Sequence, residues 1–249
     1  MLATYRADLH LHTCLSPCGD LDMSPRGVVE AAAAAGLDII AVTDHNSAEN
    51  VAAAVRAAAG RDRPRVLCGM EITSAEEVHV LTLFNDPEPA LDMQEVLYAH
   101  FPAKTNRPDI FGEQVVANEF DEVEGFNERL LIGASLLELT EVVRHCHALG
   151  GLAVAAHVDR PAYSLIGQLG FVPPDLEVDA FEISSRADEA ELLRQYPALA
   201  ARPRLRGSDA HFPRDVGSAW TEFRLNSPDL NEIRLALQGR DGRMVSEKS

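Results

Sequence analysis

The chain has no run of roughly 18 consecutive apolar residues, the length a membrane helix needs, and its start, MLATYRADLH, has no basic segment followed by a long apolar stretch. Neither a membrane span nor a secretory leader is expected, and a cytoplasmic location follows. Cysteine is scarce, with Cys14, Cys18, Cys68 and Cys146 and no C-x-x-C pair, which excludes a zinc-knuckle framework and points to free thiols in a reducing compartment. Positive charge is also scarce. With 22 Lys and Arg against 39 Asp and Glu, the formal net charge is -17. That balance argues against an extended nucleic-acid interface, because such interfaces neutralise many phosphates with basic side chains. The expected partner is therefore a small phosphorylated substrate held by a locally positive site, which bound divalent ions can provide. The oligomeric state is not legible.

What is present is a sequence of 249 residues, 46% hydrophobic, long enough to bury a full core. Short apolar, β-branched-rich runs occur at Tyr5 to Leu11, Asp38 to Thr43, Arg65 to Ile72, Val78 to Phe84, Leu152 to Ala156, Asp179 to Ile183 and Arg204 to Gly207. They read as buried strands. Helix signals lie between several of them: Ser24 and Pro25 open an alanine-rich segment that stops at Gly36, Ser47 opens one that stops at Gly60, and another ends at Gly150 and Gly151. The alternation predicts an α/β architecture of βαβ units, open or closed into a barrel. One join breaks it, because too few residues separate Glu71 from His79 for a parallel crossover, so the chain reverses there and brings both to one rim. The proline-rich segment 85–133, with a possible hairpin in EQVVANEFDEVEGF, reads as an inserted subregion of a single domain spanning 1–249.

Two histidines one residue apart, in ADLHLHTC, face the same way from a strand. The other strand ends repeat the theme: Asp44 and His45 in TDHN, Glu71 in GMEIT, His79 in EVHVL, His157 in AAHVDRP, and Asp209 and His211 in GSDAH. Imidazoles and carboxylates converging on one rim are a metal-binding pattern, and barrel enzymes place their chemistry at that rim.

This ordered set, H-x-H, an acid before a Ser-Pro helix start, T-D-H, G-x-E, a lone His, a later His and S-D-A-H, resembles the polymerase and histidinol phosphatase (PHP) family over roughly residues 5–85 and 145–225. The resemblance implies a distorted seven-stranded (β/α) barrel with its metal site at the C-terminal ends of the strands. It also implies up to three divalent ions bound through nine ligands, here His10, His12, Asp20, His45, Glu71, His79, His157, Asp209 and His211. The opening loop TCLSPCGDLDMSP is longer than the family's usual one, so Asp20 is matched by counting back from Pro25, and Asp22 or Cys18 competes with it. Mixed N and O ligands suit two or three zinc, manganese or iron ions.

The expected activity is metal-dependent phosphoester hydrolysis, with a phosphatase acting on a small metabolite or nucleotide as the first reading. The rival readings are a nuclease on short single strands, gripping them with Lys104, Arg107 and Arg129 beside Phe101 and Phe111, and a non-catalytic metal-binding regulatory module. Asp44 and Arg160 are the candidate catalytic groups, with Asp44 orienting a ligand from behind rather than binding metal. Arg160, then Arg186 and Arg214, are the candidates for gripping phosphate.

Overall fold

In the computed structural model, which describes residues 1–246, the strands are β1 (Ala3–Leu11), β2 (Ile39–Val42), β3 (Arg65–Thr73), β4 (His79–Phe84), β5 (Val115–Ala117), β6 (Val123–Phe126), β7 (Leu152–Ala155), β8 (Ala180–Glu182), β9 (Arg204–Leu205), β10 (Thr221–Leu225) and β11 (Met244–Ser246). The helices are α1 (Pro25–Ala34), α2 (Val51–Ala58), α3 (Pro87–Ala99), α4 (Pro108–Phe111), α5 (Leu139–Ala148), α6 (Leu165–Leu169), α7 (Glu189–Gln195) and α8 (Leu230–Leu237). Nine strands form one curled mixed sheet in the order β11-β10-β1-β2-β3-β4-β7-β8-β9, and β5 pairs with β6 as the hairpin expected in the 85–133 segment.

The α/β class is as expected. The strand count is nine rather than seven, because β10 and β11 add antiparallel beside β1. β1, β2 and β3 run parallel, as do β7, β8 and β9, while β4 is antiparallel to both of its neighbours. That reversal is the tight join between Glu71 and His79. A parallel bridge from Leu11 to Ala210 and the bond from His12 N–H to Ala210 C=O at 3.0 Å bring the segment after β9 back to the end of β1. Gly207 permits this approach, since a Cβ there would lie 2.9 Å from the His10 Cβ.

Alternation along the central strands splits the core in two. Ile40, Val42, Cys68, Met70 and Phe84 pack with the helices, among them Val28, Val29 and Ala32 of α1. Ala7, Leu9, Ile39, Leu67, Leu81 and Val154 pack with Phe223, Leu230 and Ile233 from β10 and α8. Each fully buried Leu or Phe removed from water contributes about 1.5–3 kcal/mol, enough to hold the strand ends at a fixed rim. α1 starts where Pro25 and the Ser24 hydroxyl, accepting from Gly27 N–H at 3.0 Å, favour it. Among the described residues no helix is long and apolar enough to cross a membrane.

Candidate metal centre

Glu71, at the C-terminal end of β3 and 1% exposed, is the hub of the site. Its Oε1 lies 2.7 Å from His79 Nδ1, 3.0 Å from His157 Nε2 and 3.3 Å from His10 Nε2. Its Oε2 lies 3.0 Å from His45 Nδ1 and 3.5 Å from His12 Nε2. Asp209 joins from the segment after β9, with Oδ1 3.2 Å from His10 Nε2 and 3.0 Å from His12 Nε2. His211 stacks on His12 with ring centroids 4.1 Å apart. Eight of the nine expected ligands therefore meet in one cluster drawn from both ends of the chain.

Two of those residues sit in strained backbone, His157 at φ 29° and Asp209 at φ 51°. A non-glycine residue holds the left-handed region only where its surroundings over-determine it, a condition that clusters at functional sites. His157 is pinned by its neighbours, since Val158 N–H donates to Glu182 C=O at 2.9 Å and Arg160 N–H donates back to His157 C=O at 3.0 Å.

Supporting groups fix the imidazole tautomers. The Ser16 hydroxyl donates to Asp44 Oδ1 at 2.7 Å, so its oxygen accepts from His12 Nδ1 at 2.9 Å and leaves the Nε2 lone pair facing the cluster. Glu182 does the same for His10, accepting from Nδ1 at 2.9 Å. Asp44, expected among the catalytic groups, is 1% exposed and accepts from Thr13 N, Thr13 Oγ1 and Ser16 Oγ, each at 2.7 Å. It holds the β1–α1 loop and, through Ser16, reaches both the His12 ring and the His45 backbone N–H. Glu182 escaped the sequence reading although it obeys the rule applied elsewhere, an acid ending a strand. Ser16 carried no signal of its own.

Asp20 is not drawn into the cluster. Its Oδ1 caps a turn by accepting from Asp22 N–H at 2.9 Å, while Cys18 lies against His45 and His211. Burial pushes the Cys18 thiol up, but its hydrogen bonds with His211 and His45 outweigh this and bring it down to about 7. Burial likewise opposes ionisation of Glu71, yet His79, His10 and His45 together hold it well below the carboxylate range. For His45, burial disfavours the cation, and Glu71 with Cys18 reverses the balance to push it up to about 10.

The donors fit divalent ions. Three groups have their ligand atoms within 4.8 Å of one another: His12, His45 and His211; His10, His12, Glu71 and Asp209; and His45, Glu71 and His79. Glu71 Oε2 and His45 Nδ1 are buried and face each other at 3.0 Å as an ion pair, and a coordinated cation can take the place of the proton between them. Protons and metal compete for the same lone pairs.

A cavity of about 200 Å³ opens over the cluster, walled by Ile132, Arg160, Ala162 and Tyr163. Tyr163 stacks on His79 at 4.9 Å. Arg160 points into the cavity and pairs with Asp209 Oδ2, the oxygen turned away from His10 and His12. Arg186 and Arg214 do not line the cavity, and Arg214 stacks instead on Phe212 at 4.5 Å. The basic groove anticipated in the 85–133 segment is engaged within the chain: Arg107 pairs with Asp109 at 2.8 Å and Arg129 lies over Tyr98 at 4.1 Å. A larger cavity of about 620 Å³, lined by Glu189, Arg204, Arg206 and Trp220, holds none of the clustered ligands.

Comparison with known proteins adds three findings. Uncharacterized protein YqxK of Bacillus subtilis (strain 168) is 32% identical over 102 residues, 39% of this chain and 26% of that protein. The lesion-specific endonuclease PfuEndoQ of Pyrococcus furiosus superposes with a TM-score of 0.73 at 20% identity, covering 98% of this chain and 58% of that one. A putative metal-dependent phosphoesterase of Bifidobacterium adolescentis ATCC 15703 superposes at 0.61 with 21% identity, covering 92% and 94%. The chain thus spans about a quarter of YqxK and a little over half of the endonuclease.

These findings correct the expectation of a small phosphorylated partner with no extended nucleic-acid interface. Endonuclease Q shares the fold at a TM-score of 0.66, and its complex holds a 27-mer duplex with an abasic lesion at the active site. Net charge is a sum over the whole surface, whereas bound metals and nearby cations set the field where a phosphate sits. A family model described as PHP-associated matches residues 200–241, and the PHP domain model matches residues 8–166, well over half of the sequence. The PHP match holds His10, His12, His45, Glu71, His79 and His157 and the PHP-associated match Asp209 and His211, and on the PHP match the chain belongs to the PHP domain family of metal-dependent hydrolases.

Proposed function

We propose that this chain hydrolyses a phosphodiester of nucleic acid at a centre of two or three divalent ions held by His10, His12, His45, Glu71, His79, His157, Asp209 and His211. The observation that carries the reading is the convergence of six imidazoles on two buried carboxylates, Glu71 and Asp209, beneath an open cavity. Bound metal supplies Lewis acidity, lowering the pKa of water and screening phosphate charge.

The chain's own residues supply the rest. Ser16 and Glu182 hold His12 and His10 in the tautomer that presents Nε2. Arg160, 43% exposed and anchored on Asp209, offers its remaining N–H donors to a phosphate oxygen entering the cavity. Tyr163 forms an apolar wall on which a sugar or base can rest. At about 200 Å³ the cavity accommodates a phosphate with one flanking unit rather than a duplex, so a strand must present a terminal or locally exposed phosphate. The likeness to Endonuclease Q over 98% of this chain supports the choice of nucleic acid.

The test is a turnover panel with protein reconstituted in zinc, manganese or iron. It compares single strands, nicked duplex, duplex bearing an abasic site, mononucleotides and nitrophenyl phosphates. We expect the highest kcat/KM on an oligonucleotide and its loss in Glu71→Gln. Equal or higher kcat/KM on mononucleotides would overturn the nucleic-acid assignment, and no turnover on any phosphoester would overturn the reaction class.

A further inference from the structure

The inserted segment 85–133 supplies Ile132 to the wall of the cavity, whereas Arg160, Ala162 and Tyr163 come from the loop after β7. Ile132 is half-buried and joins neither apolar core, so packing does not account for a large aliphatic side chain at the mouth of a polar site. What holds it there is a single asparagine.

Asn46 directly follows His45 and stands in the left-handed region at φ 51°, which asparagine tolerates better than most residues. It is completely buried, and every polar atom of its side chain is used. Its N–H donates to Glu71 C=O and its Oδ1 accepts from Thr73 N–H, both at 3.0 Å, so it is fixed to the strand end that carries the hub of the cluster. Its Nδ2 donates to Leu131 C=O at 2.6 Å and to Gly133 C=O at 2.9 Å, the two carbonyls on either side of Ile132. The strap is pinned again at each end. Leu131 N–H donates to Gln114 Oε1 at 3.1 Å, and Ser135 donates to Thr73 C=O through its N–H at 2.9 Å and its hydroxyl at 2.8 Å. Ile132 is therefore held at a set position relative to Glu71, and its β-branched side chain has few rotamers with which to yield.

We propose that Ile132 is the specificity-determining residue of this cavity, with Asn46 its positioning residue, and that it admits one unpaired nucleotide beside the scissile phosphate while rejecting a base-paired one. A wall discriminates by size only if it does not move, and the grip of Asn46 supplies that stiffness. The inference rests on the phosphodiesterase reading above, and the experiment separates the two.

Metal-loaded protein is given nitrophenyl phosphodiesters whose second ester is methyl, thymidine through its 5′ oxygen, or the same thymidine paired at the end of a DNA hairpin. We expect Ile132→Trp to lower the thymidine-to-methyl ratio of kcat/KM by about tenfold or more, and Ile132→Ala to raise the paired-to-unpaired ratio by about tenfold or more, the range a change of pocket size commands. Asn46→Gly keeps the left-handed turn and removes the amide. It should move the paired-to-unpaired ratio as Ile132→Ala does, through KM rather than kcat, because the strap meets the flanking unit and not the reacting atoms. In the apoprotein it should also speed amide exchange across residues 130–135. If Asn46→Gly fails to fold, the two Ile132 variants decide. Ratios unchanged in both Ile132 variants overturn the role of Ile132 while leaving the phosphodiesterase reading intact, and unchanged exchange in folded Asn46→Gly overturns that of Asn46. No turnover of any of the three esters by the loaded wild type overturns both readings.

Discussion

Replacing Ser16 with alanine removes one hydroxyl from a completely buried position, and the hydrogen-bond directions around it allow the consequence to be worked out. In the native protein Ser16 gives its proton to Asp44 and accepts from His12 Nδ1 and from His45 N–H, at 2.7, 2.9 and 3.1 Å. Without it, the His12 Nδ1 proton and the His45 N–H are buried without an acceptor, costing about 2–4 kcal/mol of apoprotein stability in total. His12 then has no reason to keep its proton at Nδ1, and zinc affinity should fall 10- to 100-fold, roughly 1.4–2.8 kcal/mol. Asp44→Asn is the informative comparison. Thr13 N–H and the Ser16 hydroxyl both point at Asp44 Oδ1, so the amide oxygen must occupy that place and Ser16 still donates to it. The amide nitrogen then meets Thr13 Oγ1, which already accepts from Asn50 Nδ2 at 2.9 Å and Leu15 N at 3.2 Å. Stability should drop by about 1.5–3 kcal/mol while zinc affinity stays within about fivefold of wild type, because the His12 tautomer is kept. Chelator-competition titration gives the affinities and denaturant melts of the apoproteins give the stabilities. Equal affinity losses in the two variants, or none in Ser16→Ala, would refute the tautomer argument.

Zinc loading should release about one proton or more per chain near neutral pH, because Glu71 pushes His45 up to about 10 and metal must displace that proton; calorimetry in two buffers of different ionisation enthalpy measures it. The same loading should raise Tm and a chelator should reverse it, whereas an unchanged Tm would argue against a folded-state metal site. Arg160→Ala should retain its metal yet lose about 2–4 kcal/mol of transition-state stabilisation in kcat/KM, with Arg160→Lys recovering part of it. His147, on α5, bonds to Asp179 at 2.8 Å, and that bond raises its pKa. Its contribution, under about 1 kcal/mol for a partly exposed pair, is present in full below the ordinary imidazole value and fades as pH rises through the folded one. His147→Ala should therefore destabilise more at about pH 5.5 than at about pH 8.5, and a pH-independent difference in denaturation midpoint would contradict the pairing.

Several strands that carry ligands were legible because they are continuous apolar runs buried on both faces, such as Ile39–Val42 or Leu152–Ala155. β10 was not, since Glu222 and Arg224 alternate with Thr221, Phe223 and Leu225 and dilute the signal, and β11 is three residues with little burial. The ligands at strand ends were legible for the same reason as the strands, because a residue type at a predictable place needs no loop geometry. The loop after β1 required two turns, ending at Ser16 and Gly19, that composition does not specify. Counting from Pro25 therefore selected Asp20, whose N–H donates to His211 C=O at 2.8 Å while its side chain caps a turn. The arginines were harder to rank, since their long side chains settle on whichever partner is near, Asp209 for Arg160 at the cavity but Phe212 for Arg214 away from it.

The bridge from Leu11 to Ala210 has a consequence for biosynthesis. His10 and His12 precede Asp209 and His211, with which they form candidate donor groups, by some two hundred residues of sequence. A chain made only as far as β4 holds one complete donor group, His45, Glu71 and His79, but lacks Asp209 for the group with His10 and His12 and His211 for the group with His12 and His45. Two of the three groups therefore wait for the segment after β9, and a chain cut short before Ser208 would be marked by the smaller number of ions it holds.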